Sequence, residues 1–147
     1  RNRPITMVIA VAAIAVLVTV LALYAVMLQN PSNVTNIQTV DVEAYWDTNH
    51  MNKVLTVNWG IIEAGATKNV TVYIANTGNA NIRLSMNVTN WSPTNASEYI
   101  ALYWDYQNQT LNPNQLLKTT LTLNVDSNTQ GFTSFSFDAI IAATRNQ

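Results

Sequence analysis

Hydrophobic and polar positions change rhythm once along this chain. From residue 5 to residue 28 the sequence reads ITMVIAVAAIAVLVTVLALYAVML, apolar except for Thr6, Thr19 and Tyr24, and no charge occurs between Arg3 and Asp41. The run predicts a hydrophobic helix that would extend about 36 Å, more than the roughly 30 Å of a bilayer's hydrocarbon core. Pro4 suits a first helical turn, where a missing N–H costs nothing. Pro31 pushes Asn30 out of helical geometry, so the helix is expected to stop near Gln29. After a polar linker over 29–36 the period drops to two. Val40, Val42, Ala44 and Trp46 alternate with polar residues, as do Leu55, Val57 and Trp59. Val70, Val72 and Ile74 repeat the pattern, followed by Ile82, Leu84, Met86 and Val88. Three more apolar runs cover 100–106, 117–125 and 135–143, and turn-forming stretches separate them at Gly60, Gly65, 76–81, 91–97, 112–115 and 126–131.

About seven short strands with near-regular turns predict an immunoglobulin-like antiparallel β-sandwich. The expected fold class is therefore a long N-terminal hydrophobic α-helix followed by an all-β sandwich. The expected organisation is a helix over 1–28, a linker over 29–36 and a β-domain over 37–147. The four Trp residues are expected to plug the core between the sheets. On the helix, Ala12, Ala15, Thr19 and Ala22 recur at spacings of three and four, a small-residue stripe that would let helix backbones approach closely. The alternative is that Ala is simply common in membrane-spanning helices.

Composition narrows the chemistry. Among 147 residues the net charge is −1 and charged residues make up 10%, so nothing here attracts nucleic acid through bulk electrostatics. Polarity comes instead from 20 Asn and 18 Thr. Without Cys there are no disulfides, thiolate metal sites or cysteine nucleophiles, and a single histidine, His50, argues against zinc-hydrolase and triad chemistry. The stretch 126–131, DSNTQG, begins like a calcium loop, but its twelfth position is Phe137 where a bidentate carboxylate is needed, so a self-bonded turn is expected. Asp41 and Glu43, with Asp47 nearby, are expected to form a solvated strand face rather than an acid–base pair. Four glycines allow neither a phosphate loop nor a nucleophile elbow. No catalytic residue, metal ligand or cofactor is expected, and the chain is read as a non-enzyme.

Six Asn-x-Ser/Thr sequons occur, at Asn33, Asn69, Asn87, Asn90, Asn95 and Asn108. All lie beyond the apolar run. Arg1 and Arg3 precede it and the next cation is Lys53, so the positive-inside rule would place the N-terminus in the cytoplasm and every sequon outside, where N-glycans are added. Sugars would also keep so uncharged a surface soluble.

A chain that starts without Met, with a 24-residue apolar run, a short polar linker and a sequon-rich β-domain, resembles archaeal type IV pilins and the related archaellins. That resemblance implies a removed leader and N-terminal helices bundled into a filament core, with glycosylated β-domains facing outward. Ile5 stands where bacterial pilins carry a glutamate, a residue that archaeal members generally lack. The segment from Val57 to Trp91 also looks like Ig-like stalk modules of archaeal surface proteins, which implies the fold and the cell surface only. Two readings follow. In the first, the chain is a filament subunit that polymerises through helix 5–28, held in the membrane before assembly and bearing N-linked glycans, for adhesion or motility. In the second, it is a signal-anchored ectodomain or an accessory subunit of a membrane complex, with Arg1 and Arg3 at cytoplasmic head groups.

Overall fold

A computed structural model describes residues 33–145. The expected helix over 1–28, its stripe of Ala12, Ala15, Thr19 and Ala22, and the first residues of the expected linker lie outside them. Within the described residues the chain is all β, apart from one 3₁₀ turn at Thr94–Glu98, and no helix is long and apolar enough to cross a membrane. The strands are β1 (Asn33–Val40), β2 (Glu43–Tyr45), β3 (Thr56–Asn58), β4 (Thr67–Ala75), β5 (Ile82–Ser92), β6 (Ile100–Trp104), β7 (Leu116–Val125) and β8 (Phe135–Arg145). They form two four-stranded sheets, ordered β3-β1-β8-β5 and β2-β4-β7-β6.

This corrects the expected fold in two respects. The described part has eight strands rather than about seven, and the sandwich is not purely antiparallel. The added strand, β1, begins inside the stretch read as linker. Two of its three inward positions, Asn33 and Thr35, are polar and buried, which leaves Ile37 alone to mark the strand in a hydrophobicity pattern. What looked like one strand over 40–46 is broken at Asp41, whose φ of +58° turns the chain from one sheet to the other between β1 and β2. β1 then runs parallel to β8 from Asn33↔Phe135 to Val40↔Ala142, with nearly the whole domain as the crossover that a parallel pair requires.

The inner faces meet in one hydrophobic cluster. Ile37, Leu84, Phe137, Ala139 and Ile141 of one sheet face Val72, Ile74, Leu102, Leu121 and Leu123 of the other. Strand β5 carries one residue more than β8 between the pairs Thr89↔Asp138 and Ser92↔Ser136. Asn90 takes the extra position at φ +56°, and this bulge shifts the alternation so that Trp91 turns inward and stacks on Phe137 at 4.2 Å. Trp59 is also buried, donating Nε1–H to the Thr35 hydroxyl at 2.8 Å, whereas Trp46 is 38% exposed. Three of the four glycines take positive φ, and five further left-handed positions fall to Asp41, His50, Asn90, Asn108 and Asn114, residue types that tolerate that geometry.

Two aspartates tie strands together on the outside. Asp138 on β8 accepts from Asn90 (2.7 Å), Asn36 (2.9 Å) and Gln38 (3.1 Å), and the amides of Asn90 and Asn36 hold its carboxyl below its usual pKa. Asp105 accepts from the Thr119 hydroxyl (2.6 Å) and the Thr120 N–H (2.9 Å), which lower it likewise. A carboxyl depressed in the folded state contributes stability above the unfolded value of about 4, and that contribution fades as pH falls through the lower folded value. The melting temperature is thus expected to hold from neutral pH to about pH 5 and to fall below about pH 4. A pH series of thermal melts checks this. An acid limb just as steep in the Asp105→Asn/Asp138→Asn double variant would remove these two groups as its cause.

Candidate functional site

The six sequons do not share one environment. Asn33 is buried at the start of β1. Its Nδ2 donates to the Gly60 carbonyl at 2.7 Å and its Oδ1 accepts the Phe135 N–H at 3.2 Å. The sequon's hydroxyl, on Thr35, is fully buried as well and accepts from Trp59. Both functional atoms of this motif are consumed by the fold, and a saccharide on Asn33 is incompatible with β1 in its place. Asn90 is exposed, but its amide nitrogen is the one bonded to Asp138.

The other four amides are open to solvent and spread over the domain. Asn69 lies on the outward face of β4 and Asn87 on the outward face of β5, so each sheet bears one. Asn95 sits in the 3₁₀ turn after β5, and Asn108 lies in the loop after β6 at φ +62°. Sequence reasoning ranked these motifs equally because exposure and amide pairing depend on partners up to about a hundred positions away.

Glu43, Asp47 and Asp126 are tied into the fold. Glu43 is paired with Lys53 Nζ at 2.5 Å and accepts the Tyr45 hydroxyl, and these partners, Lys53 foremost, lower its pKa. Asp47 caps its own turn, accepting the N–H groups of Asn49, Met51 and Asn52 at 2.9–3.1 Å, with the Met51 N–H the largest cause of its lowered pKa. Asp126 accepts the Asn128 N–H at 2.7 Å, the self-bonded turn that the failed calcium-loop spacing implied. Among the described residues no group of three or more His, Asp or Glu side chains is placed to hold a metal ion. His50 stacks on Tyr45 at 4.9 Å between ring centroids.

One concavity escaped the sequence reading. Strand β2 pairs with β4 only at Tyr73, Ile74 and Ala75, so residues 67–72 of β4 have no strand beside them on that side. β3 ends the other sheet on the same flank. Between them a groove of about 590 Å³ is lined by Trp46, Thr56, Val57, Asn58, Trp59 and residues 67–70. Exposed apolar residues concentrate nearby in sequence, with Met51, Leu55 and Ile61 each 70% exposed or more.

No protein-family model matches the chain, and no curated protein matches it. The residues brought together at the groove are one open sequon amide (Asn69), a half-exposed indole (Trp46), the hydroxyl of Thr56 and the Asn58 side chain, while the Thr67 hydroxyl reaches Asn124 on β7 at 3.4 Å. Asn58 Oδ1 accepts the Gly60 N–H at 2.9 Å and so fixes how that amide is presented. Lys68, the one charged residue among those lining the groove, spends its ammonium on the carbonyls of Trp59 (2.6 Å) and Ile61 (2.7 Å).

Proposed function

We propose that the chain is a structural subunit of an extracellular filament of the archaeal type IV pilus kind. It polymerises through the apolar run 5–28, is held at the membrane before assembly, and displays a glycosylated β-domain outward for adhesion or motility. The observation that carries this reading is the division of labour within one chain. A 24-residue stretch without charge is joined to a β-domain that closes its own hydrophobic core and leaves four sequon amides open at its surface. An apolar run of that length must find dry surroundings outside its own domain. Copies that bury it against one another make the same heterologous contact each time, which is open-ended by symmetry. Burying about 1,000 Å² per copy would contribute about 25 kcal/mol before entropic costs.

A second reading is favoured by Arg1 and Arg3. Charges sealed inside a filament are costly without partners, whereas at cytoplasmic head groups they are stabilising, as in a membrane-anchored ectodomain. Electron microscopy of sheared cell-surface material, followed by N-terminal sequencing of the fibres, separates the two. Fibres containing this chain are expected. If every preparation yields only single chains dispersed in detergent, the filament reading fails and the anchored ectodomain replaces it.

A further inference from the structure

We propose that the groove between β3 and the open half of β4 is a saccharide seat, filled by the first sugars of a glycan attached to Asn69; this rests on the glycoprotein reading above. Asn69 is at once a groove-lining residue and an exposed sequon asparagine, and Thr71 supplies the motif's hydroxyl two residues along on the same face of β4. The lining matches the surface of a pyranose ring, which has an apolar C–H face and a rim of hydroxyls. Trp46 offers a half-exposed aromatic surface, and Thr56 and Asn58 offer hydroxyl and amide groups. No carboxylate lines the groove, and its one cation is already engaged by two carbonyls. The volume falls within the range of sites that hold small ligands.

Attachment decides why a sugar should occupy so open a site. A free monosaccharide would bind such a groove weakly, but a tethered one experiences an effective concentration in the millimolar range or above. In the attachment itself, Asn69 Nδ2 forms a bond to the anomeric carbon of a lipid-linked oligosaccharide. The amide loses one proton, and the lipid phosphate or diphosphate leaves with the electrons of the broken C–O bond. The seated sugar then covers Trp46 and shields the edge of β4 at residues 67–70, part of an edge that would otherwise template pairing with another strand.

The test uses the full chain purified from its native surface, or expressed in a host that glycosylates it. Glycopeptide mass spectrometry is expected to find Asn69 modified and Asn33 bare. Trp46→Ala should lower the melting temperature of the glycosylated chain by about 2–6 °C, with Trp46→Phe restoring most of it. The same Trp46→Ala change in an Asn69→Gln background should have almost no effect, and Asn69→Gln alone should raise acrylamide quenching of tryptophan fluorescence. Effects of the two substitutions that simply add would overturn the seat. An unmodified Asn69 beside glycans on Asn87, Asn95 or Asn108 overturns it while leaving the glycoprotein reading intact. A chain bare at all six sequons overturns both. Concentration-dependent self-association of a chain glycosylated at Asn69, abolished by Trp46→Ala, would show the groove to be a strand-docking edge instead.

Discussion

Phe137→Ala is expected to cost the β-domain about 3–5 kcal/mol of stability, the loss typical of truncating a large buried aromatic where neighbours relax only partly. Phe137 has no exposed surface and stands on β8, an inner strand held between β1 and β5. Trp91 stacks on it at 4.2 Å and Phe135 lies 6.1 Å away, so the ring is the centre of a three-aromatic layer. Removing it deprives Trp91 of its partner, and the β5 bulge at Asn90 then holds an indole over a void. Denaturant or thermal unfolding of the full chain measures the loss, and the melting temperature should fall by more than about 10 °C. Ile61→Ala, a deletion of similar chemistry at a position 70% exposed, is expected to shift stability by less than about 0.5 kcal/mol. Comparable losses at the two positions would mean that the aromatic layer is not the centre of the core.

How much of this was legible in the sequence follows from which interactions are local. The apolar alternation of β4, β5 and β7 is set by burial on one face, so a period of two reveals Val70, Val72, Ile74, Leu121 and Leu123 without knowledge of their neighbours. Strand β1 fails that test because two of its three buried positions carry an amide and a hydroxyl whose partners, Gly60, Phe135 and Trp59, lie 24 to 102 positions away. The break at Asp41 was hidden for a related reason. A left-handed aspartate leaves no mark in a hydrophobicity pattern, and in a chain short of glycine the usual punctuation is missing. The turn at 126–131 was legible because its bonds close within three residues. The sequons were legible as motifs but not as sites. Asn33 and Asn69 are each followed by Val and Thr, and only the fold separates a buried pin from an open amide. The groove was beyond reach altogether, since it exists because β2 stops at Tyr45 and leaves half of β4 uncovered.

The second large effect concerns that buried pin. Asn33→Ala should destabilise the domain by about 1–3 kcal/mol, because it strips the buried Phe135 N–H of its acceptor, while the Gly60 carbonyl, on an exposed residue, loses its donor and turns to water. The damage falls on one spot, the joint where β1 meets both the start of β8 and the loop that follows Trp59. The Trp59 N–H still reaches the Asn33 carbonyl at 2.8 Å, so the strand should stay in register while losing its anchor. Asn33→Asp sharpens the test. Its carboxylate can still accept from Phe135, yet when ionised it faces the Gly60 carbonyl with no proton to offer, at a position only 3% exposed. Burial and that carbonyl both favour the protonated form, so its folded pKa lies above the unfolded value of about 4. The proton's contribution to stability is then complete below that value and lost as pH rises through the folded pKa. The variant should therefore melt closest to the wild type under mild acid and diverge from it toward neutral pH, opposite to the slope that Asp105 and Asp138 give the native domain. A gap between Asn33→Asp and wild type that stays constant from pH 4 to 7 would show that the Nδ2–H···O=C bond to Gly60 does not hold β1 in place.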